Sequence, residues 1–301
     1  MDNAQLRTLA TIIDTGSFEA AAAALHVTPS AVSQRIKALE RDAGQVLVRR
    51  ERPCRATEAG SVLTRLARQM DEVESDARLA LGTLSSAPLQ VVVNADSLAT
   101  WFTQVLTAAA SWNDTELRLR VADEAISHRL LRSGEAVGAV TTWRPPIPGC
   151  RARNLGEMHY IPVAAPGLAT RMGVTTQPGA HRPADPPTRA QWAGAGIAAI
   201  CYDTDDEIID RFIVAEDLPS PGRRHMVPSS QGCLTALLVG LGWGLAPELQ
   251  VADHLAQGSL VRIHPHDLVE TLSWQCWSLH SRRLDRLSAA VDHAAGRLPR
   301  P

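Results

Sequence analysis

The chain lacks most of what would anchor it to a membrane, cross-link it or make it an enzyme. No apolar run approaches the ~18 residues needed to span a bilayer. The start, MDNAQLRTLA, lacks the basic-then-apolar pattern of a secretory signal, so a cytoplasmic location is expected. The five cysteines (Cys54, Cys150, Cys201, Cys233, Cys276) are odd in number, widely spaced and without a C-x-x-C pair. That argues for a reducing compartment and against a disulfide framework or a zinc site. There is no G-x-S-x-G and no G-x-x-x-x-G-K-[ST]. Gly240-Leu241-Gly242-Trp243-Gly244 lacks the spacing of a dinucleotide loop and precedes an expected strand, not a helix. His264 and His266 flank Pro265 on what reads as an exposed loop, and a chance surface pair is the better reading than a metal site. Catalysis has little support, and no cofactor or metal is expected. Lysine is nearly absent too: Lys37 is the only one.

What is present is concentrated in Ser17–Asp42, SFEAAAAALHVTPSAVSQRIKALERD. Ser17 is a good N-cap ahead of a run of strong helix formers, and His26-Val27 turns the chain. Thr28 caps a second helix, with Pro29 at the first helical position, where a missing N–H costs nothing. Val32, Ile36 and Leu39 form one apolar stripe; Ser30, Ser33, Gln34 and Lys37 take the opposite face. Short polar side chains at the start of a helix allow close approach to a DNA major groove. Gln34 can hydrogen-bond a base edge, and Arg35 and Lys37 can reach phosphates. A solvated helical hairpin is the bland alternative, but the flanks also fit. Asn3–Asp14 reads as a preceding helix with Leu6, Leu9, Ile12 and Ile13 on one side. Val46–Thr57 reads as a wing carrying Arg49, Arg50, Arg52 and Arg55 around Pro53. Between Arg35 and Arg55, seven basic residues face three acidic ones, a net +4 in a chain whose net charge is −2. That asymmetry is an electrostatic footprint for phosphate.

Thr57 caps a proline-free helix in which Leu66, Met70, Val73, Ala77, Ala80 and Leu84 step by four and three. So narrow a seam predicts pairing with another helix; packing on the chain's own body is the alternative. Beyond Ser85–Pro88, a hinge, strands at Leu89–Val93, Leu117–Val121 and Val137–Thr141 alternate with helices at Ala99–Ser111 and Ile126–Ser133. This predicts a parallel sheet. Trp143–Asn154 reads as a proline-rich loop, Met158–Ala165 as a strand and Gly167–Pro187 as irregular. Strands follow at Ile197–Tyr202, Arg224–Val227, Leu260–Ile263 and Trp274–Leu279. Helices are expected at Asp206–Glu216, Gly232–Gly240 and Ser281–Ala295. Two lobes joined by two crossings make a cleft. The expected fold is an α+β winged helix-turn-helix head (1–58), a dimerisation helix and hinge (59–87) and a two-lobed α/β periplasmic-binding-protein-like domain (88–301). Lobe I is 88–162 with 266–301, and lobe II is 163–265.

Ligands of open α/β sheets bind beyond the carboxyl ends of strands and at helix N-termini. That rule selects Ser97, expected to cap the next helix, then Asp123 and Glu124, Thr141 and Thr142, Asp203 and Asp205, and Ser229 and Ser230. Hydroxyls and amides would suit an anion and carboxylates a cation, the requirements of a basic amino acid. The ordinary readings are helix capping for Ser97 and Ser230 and a solvated helix start for Asp203–Asp206.

The stretch Ser17-Phe18, Ala21-Ala22 and Leu25–Glu40, with Leu47-Val48-Arg49-Arg50 and Ala56–Gly60, strongly resembles the winged helix-turn-helix of LysR-type transcriptional regulators. The resemblance runs essentially the full length. Asn94–Trp101, Gly138–Thr142, Pro148–Cys150 and Gly240–Gly244 are similar to the lysine- and arginine-sensing ArgP/LysG branch. It implies a homodimer that pairs into a tetramer on double-stranded DNA, with Thr28, Ser30, Ser33 and Gln34 towards bases. Arg35, Lys37, Arg50, Arg52 and Arg55 would meet phosphate. It further implies a lysine or arginine effector, control of an amino-acid exporter gene and contact with RNA polymerase. Ser97 and Thr100, in a string with Leu98 and Trp101, would hold the effector's carboxylate; Asp123, Glu124 or Asp203–Asp206 would meet its cations. Thr204 stands where that branch is expected to carry a basic residue. A DNA-architectural or replication-control protein with the same head, or a LysR-type regulator with a different effector, is the alternative; affinity for DNA that responds to a ligand separates the architectural reading from the others.

Overall fold

The computed structural model describes every residue except Ser85, Trp143, Arg144, residues 175–186, Ala195 and Pro301, and it leaves aside the side chains at 124, 125, 193 and 194. Part of the segment read as irregular (Gly167–Pro187) lies outside the described residues. The chain forms two compact units. The first is Met1–Asn94, Val105–Arg153 and Ser273–Val291; the second is Ala95–Gln104, Asn154–Leu272 and Asp292–Pro301.

The first unit opens with α1 (Asn3–Thr15), α2 (Phe18–Ala24) and α3 (Pro29–Ala43). Local chemistry sets their ends. Asp2 and Gln5 form a capping box, Ser17 and Thr28 accept N–H bonds as N-caps, and Gly16 and Gly44 terminate α1 and α3 in the left-handed conformation. The apolar faces meet in one core containing Leu9, Ile12, Ala21, Val32, Ile36, Leu39 and Leu47, all without exposure. The wing is a short antiparallel pair, β1 (Val48–Arg49) and β2 (Arg55–Ala56).

Next comes α4 (Glu58–Ala80), capped by Thr57. Thr57 also closes the wing: its hydroxyl donates to the Val46 carbonyl at 2.8 Å, and its N–H donates to the Leu47 carbonyl at 3.0 Å. Gly60 sits so close that a Cβ there would meet the Leu47 oxygen at 2.0 Å. The helix shows two characters. Thr64, Ala67 and Glu72 are buried, whereas Val62, Met70 and Val73 are 52%, 38% and 49% exposed, as are Ala77 and Ala80. Of the expected seam, Leu66 is half-buried against the core of the head, and Met70, Val73, Ala77 and Ala80 face solvent. Leu84 lies beyond the end of the helix, which stops at Ala80 before a left-handed Gly82, so the seam is shorter than expected.

The rest of this unit contains β3 (Ala87–Val93), then, after α5 (Ala95–Ala99) and α6 (Thr103–Ala109), β4 (Thr115–Val121), α7 (Glu124–Ser133) and β5 (Gly138–Thr141). β3 runs parallel to both β4 and β5, as the alternation predicted. The helix expected over Ala99–Ser111 is the shorter α6, and α5 precedes it as a separate helix. Thr100 and Phe102 donate their N–H groups to the Ser97 carbonyl, and the break sends Trp101 and Phe102 into the core.

Thereafter β6 (Cys150–Ala164) starts earlier than expected, inside the segment read as loop. α8 (Pro166–Arg171) replaces part of the segment read as irregular, with Pro166 at a first-turn position it tolerates. The chain continues through α9 (Arg189–Gly194), β7 (Ala199–Cys201), α10 (Ile208–Ala215), β8 (Arg224–Met226), α11 (Ser230–Leu238) and β9 (Gly244–Pro247). It ends through α12 (Glu248–Ala256), β10 (Val261–Arg262), β11 (Leu268–Trp277) and α13 (Arg282–Ala294). α12 has no counterpart in the sequence reading. In the second unit β6 pairs antiparallel with β9 and β10, and β7 runs parallel to β8. The Gly-rich segment serves packing: a Cβ at Gly242 would meet the Ala198 oxygen at 2.4 Å, and Trp243 stacks edge-on against Trp192 at 4.7 Å.

Candidate nucleic-acid interface and ligand site

The outer face of α3 is built by its buried one. With Val32, Ile36 and Leu39 fixed in the core, the 3.6-residue period turns Ser30, Gln34 and Lys37 to solvent and leaves Ser33 half-buried. The Thr28 hydroxyl accepts the Ala31 N–H at 3.2 Å and lies 2.9 Å from the Ser30 hydroxyl, so it orders the start of the helix. Pro29 is exposed beside it. Arg35 is half-buried, and its guanidinium donates to the Thr8 hydroxyl on α1 at 3.4 Å.

Arg49, Arg50, Arg52 and Arg55 are all exposed on the wing. Arg50 stacks over the Phe18 ring, 4.8 Å from its centroid, which holds the cation at the start of α2. The wing turn is docked on the end of α1: the Cys54 N–H donates to the Gly16 carbonyl at 2.7 Å.

The second cluster lies in the second unit, and its centre is a residue the sequence reading passed over. Asp96, in α5, accepts the Ser230 hydroxyl at 2.7 Å through Oδ1 and the Tyr160 hydroxyl at 2.9 Å through Oδ2. Burial raises its pKa above the usual aspartate value, more than the two hydroxyls lower it, and the charge of Asp206 raises it further. No cationic side chain is among the groups that set this acidity. Asp206 itself accepts the N–H groups of Tyr202 and Ile208, each at 3.0 Å, at the start of α10.

The expected site residues divide between the units. Ser97 is fully buried inside α5, which begins two residues before it, so it does not cap a helix as expected. Among the described residues its hydroxyl has no hydrogen-bond partner. Thr100 is buried and donates to the Asp96 carbonyl at 2.6 Å. Leu98 is half-buried. Trp101 is fully buried and packs edge-on against Phe102. Ser229 caps α11, accepting the Gly232 N–H at 3.1 Å; Ser230 belongs to Asp96. Asp203 accepts the Asp205 N–H at 2.9 Å, which ties the two together in a turn. In the first unit Asp123 caps α7 through the Ile126 N–H at 2.8 Å, Glu124 opens that helix, Thr141 is buried at the end of β5 and Thr142 follows half-buried. Tyr160, like Asp96, is outside the residues expected from the sequence, whereas Asp206 belongs to the expected Asp203–Asp206 cluster. An Asp beside Ser97 after a β-branched strand was the one available signal.

These elements define a DNA-binding regulator: a winged helix-turn-helix joined by a long helix to an α/β body. The chain belongs to the LysR family of bacterial regulatory helix-turn-helix proteins, whose head matches residues 4–61 and whose LysR substrate binding domain matches residues 82–298. It is 43% identical over 298 residues to the lysine export transcriptional regulatory protein LysG of Corynebacterium efficiens, with 98% of each chain covered. The crystal structure of ArgP from Mycobacterium tuberculosis is similar with a TM-score of 0.88 and 44% identity, covering 100% of this chain and 99% of that one. Full-length LysG from Corynebacterium glutamicum with bound effector Arg is similar with a TM-score of 0.84 and 39% identity, covering all of both chains. No helix among the described residues is long and apolar enough to cross a membrane.

Proposed function

We propose that this regulator is controlled by a basic amino acid, lysine or arginine, whose cationic group is held by Asp96. The carrying observation is a part-buried carboxylate with two hydroxyl donors and no cation among the side chains that set its pKa. Such a group is costly to ionise alone, and an arriving ammonium or guanidinium offsets that cost. Asp206 adds a second negative charge, as a ligand with two cations requires. Ser97, with its unpartnered hydroxyl, is retained for the ligand's carboxylate together with Thr100. Asp123, Glu124, Thr141, Thr142, Asp203 and Asp205 remain secondary candidates. The arginine in the C. glutamicum LysG structure and the lysine-export name of the C. efficiens relative support the same ligand class.

On this reading the protein acts in the cytoplasm as a homodimer, assembling further into a tetramer, paired through the exposed row Val62, Met70 and Val73 of α4. It places α3 in successive major grooves with Gln34 towards bases and Arg52 and Arg55 on phosphates. Effector binding changes how the dimers pack on DNA and so alters access of RNA polymerase at an amino-acid exporter gene. The ligand can do this only through its differential affinity for the two arrangements.

The test is calorimetric titration of the full chain with arginine, lysine and citrulline, with Asp96→Asn alongside. Binding of arginine or lysine but not of citrulline, lost in the variant, is the expected result. Equal binding of citrulline sinks the cation assignment. No ligand response in heat, stability or DNA affinity turns the reading towards an architectural protein.

A further inference from the structure

The turn between β10 and β11 carries His264 and His266 on either side of Pro265, and both imidazoles converge on Glu216 at the end of α10. His264 is not the exposed loop residue that the sequence suggested: it is 7% exposed, with Phe212 edge-on at 5.2 Å and Trp192 at 6.5 Å. We propose that Glu216, His264 and His266 form a site for a divalent transition-metal ion of the zinc class, which fastens the end of α10 to this turn.

Three observations carry the assignment. The first is geometric. One ligand atom from each residue lies within 4.8 Å of the others. Glu216 Oε2 is 2.8 Å from His266 Nδ1 and 3.9 Å from His264 Nε2. Ligand atoms about 2.0–2.1 Å from a tetrahedral ion stand about 3.4 Å apart. The observed distances straddle that value, so small side-chain rotations suffice. The second is the donor set. Two imidazoles and one carboxylate suit zinc, cobalt or nickel; they do not suit calcium or magnesium, which take oxygen ligands. The third is the gradient of access. His264 is buried and held by rings, Glu216 is half-buried and His266 is exposed, so an ion has an entry path and an open position for water.

The surroundings are consistent with this and impose one cost. Arg262 is nearby, but its guanidinium is engaged by Asp267 and by the His264 carbonyl. The cost lies at His264 Nδ1, which accepts the His266 N–H at a long 3.4 Å. Coordination through Nε2 places the ring proton on Nδ1, so the turn must open enough to release that contact.

The experiment uses the full chain after chelator treatment, titrated with Zn2+ by calorimetry and with Co2+ by visible absorption. The expected result is a single ion per chain, a four-coordinate Co2+ band, and a rise in Tm with Zn2+ that chelator reverses. Loss of an outer-shell partner alone weakens metal sites roughly tenfold or more, so His266→Ala and Glu216→Gln should each weaken binding at least that far. His266 is exposed, so its variant is expected to fold, and its metal-free Tm serves as the control. Absence of binding, or binding unchanged in both variants, overturns the proposal; Asp96→Asn should leave it intact, which separates this site from the effector reading.

Discussion

Ser230 donates its hydroxyl to Asp96 at 2.7 Å, bringing the first residue of α11 onto a carboxylate of α5 that lies 134 residues earlier in the chain. With the Tyr160 hydroxyl on the other oxygen, this contact orients the carboxylate without neutralising it. The balance has a thermodynamic signature that does not require knowing the ligand.

Because burial raises the Asp96 pKa, the folded protein holds this proton more tightly than the unfolded chain does. Its contribution to stability is therefore largest at low pH and falls as pH climbs from the ordinary aspartate range through the raised value. Asp96→Asn should remove that fall and leave the ligand-free protein at neutral pH as stable as the parent or about 1 kcal/mol more so, roughly 2–4 °C in Tm. Arginine affinity should drop by about 2–5 kcal/mol in the same variant. Urea unfolding across pH and calorimetry read the two effects separately; a variant less stable at neutral pH would count against the unpaired-carboxylate account.

On the DNA face, Gln34→Ala should cost about 1–3 kcal/mol on the preferred operator and little on unrelated DNA. Arg52→Ala should weaken all sequences alike and reduce the slope of log K against log salt by about 1. Competition binding at several salt concentrations distinguishes them. A sequence-selective loss at Arg52 would reverse the two roles.

The link from α4 to the body of its unit is ionic and buried. Arg283 is 2% exposed; it meets Glu72 at 2.6 Å, Asp76 at 2.8 Å and the Ala87 carbonyl at 2.9 Å. Burial raises the Glu72 pKa even against the pull of Arg283. Arg283→Met should destabilise by roughly 3–5 kcal/mol, because it leaves Glu72 buried without its partner. Adding Glu72→Gln should recover part of that loss. Denaturant midpoints of the single and double variants give the answer, and a double variant no better than the single would show that packing, not charge, dominates.

Gly60→Ala tests how the head is held to α4. The added Cβ would fall 2.0 Å from the Leu47 carbonyl oxygen, a backbone atom that also accepts the Thr57 N–H. The expected cost is about 1–3 kcal/mol from the forced shift. DNA affinity should fall with it, since the wing hangs from the same residues. Thermal unfolding and a DNA titration check both.

The head was readable from the sequence because each of its decisions is local. Ser17, Thr28 and Thr57 cap the helices that follow them, and Val32, Ile36 and Leu39 repeat at helical spacing. The ligand site resisted for the opposite reason. Asp96 acquires its character from Tyr160, 64 residues away, and from Ser230, and neither periodicity nor a turn signal reports such a pairing. The break after α5, which buries Trp101 and Phe102, likewise carries no local signal. His264 was read as exposed because the rings that bury it, Phe212 and Trp192, belong to distant helices.

The scarcity of lysine now has a practical use. Lys37 is the sole lysine, and it stands exposed on the outer face of α3. An amine-reactive fluorophore should therefore mark a single side chain, on the surface offered to the double helix. The rate of that labelling becomes a direct gauge of promoter occupancy, slowed when DNA shields the amine and restored when the complex dissociates.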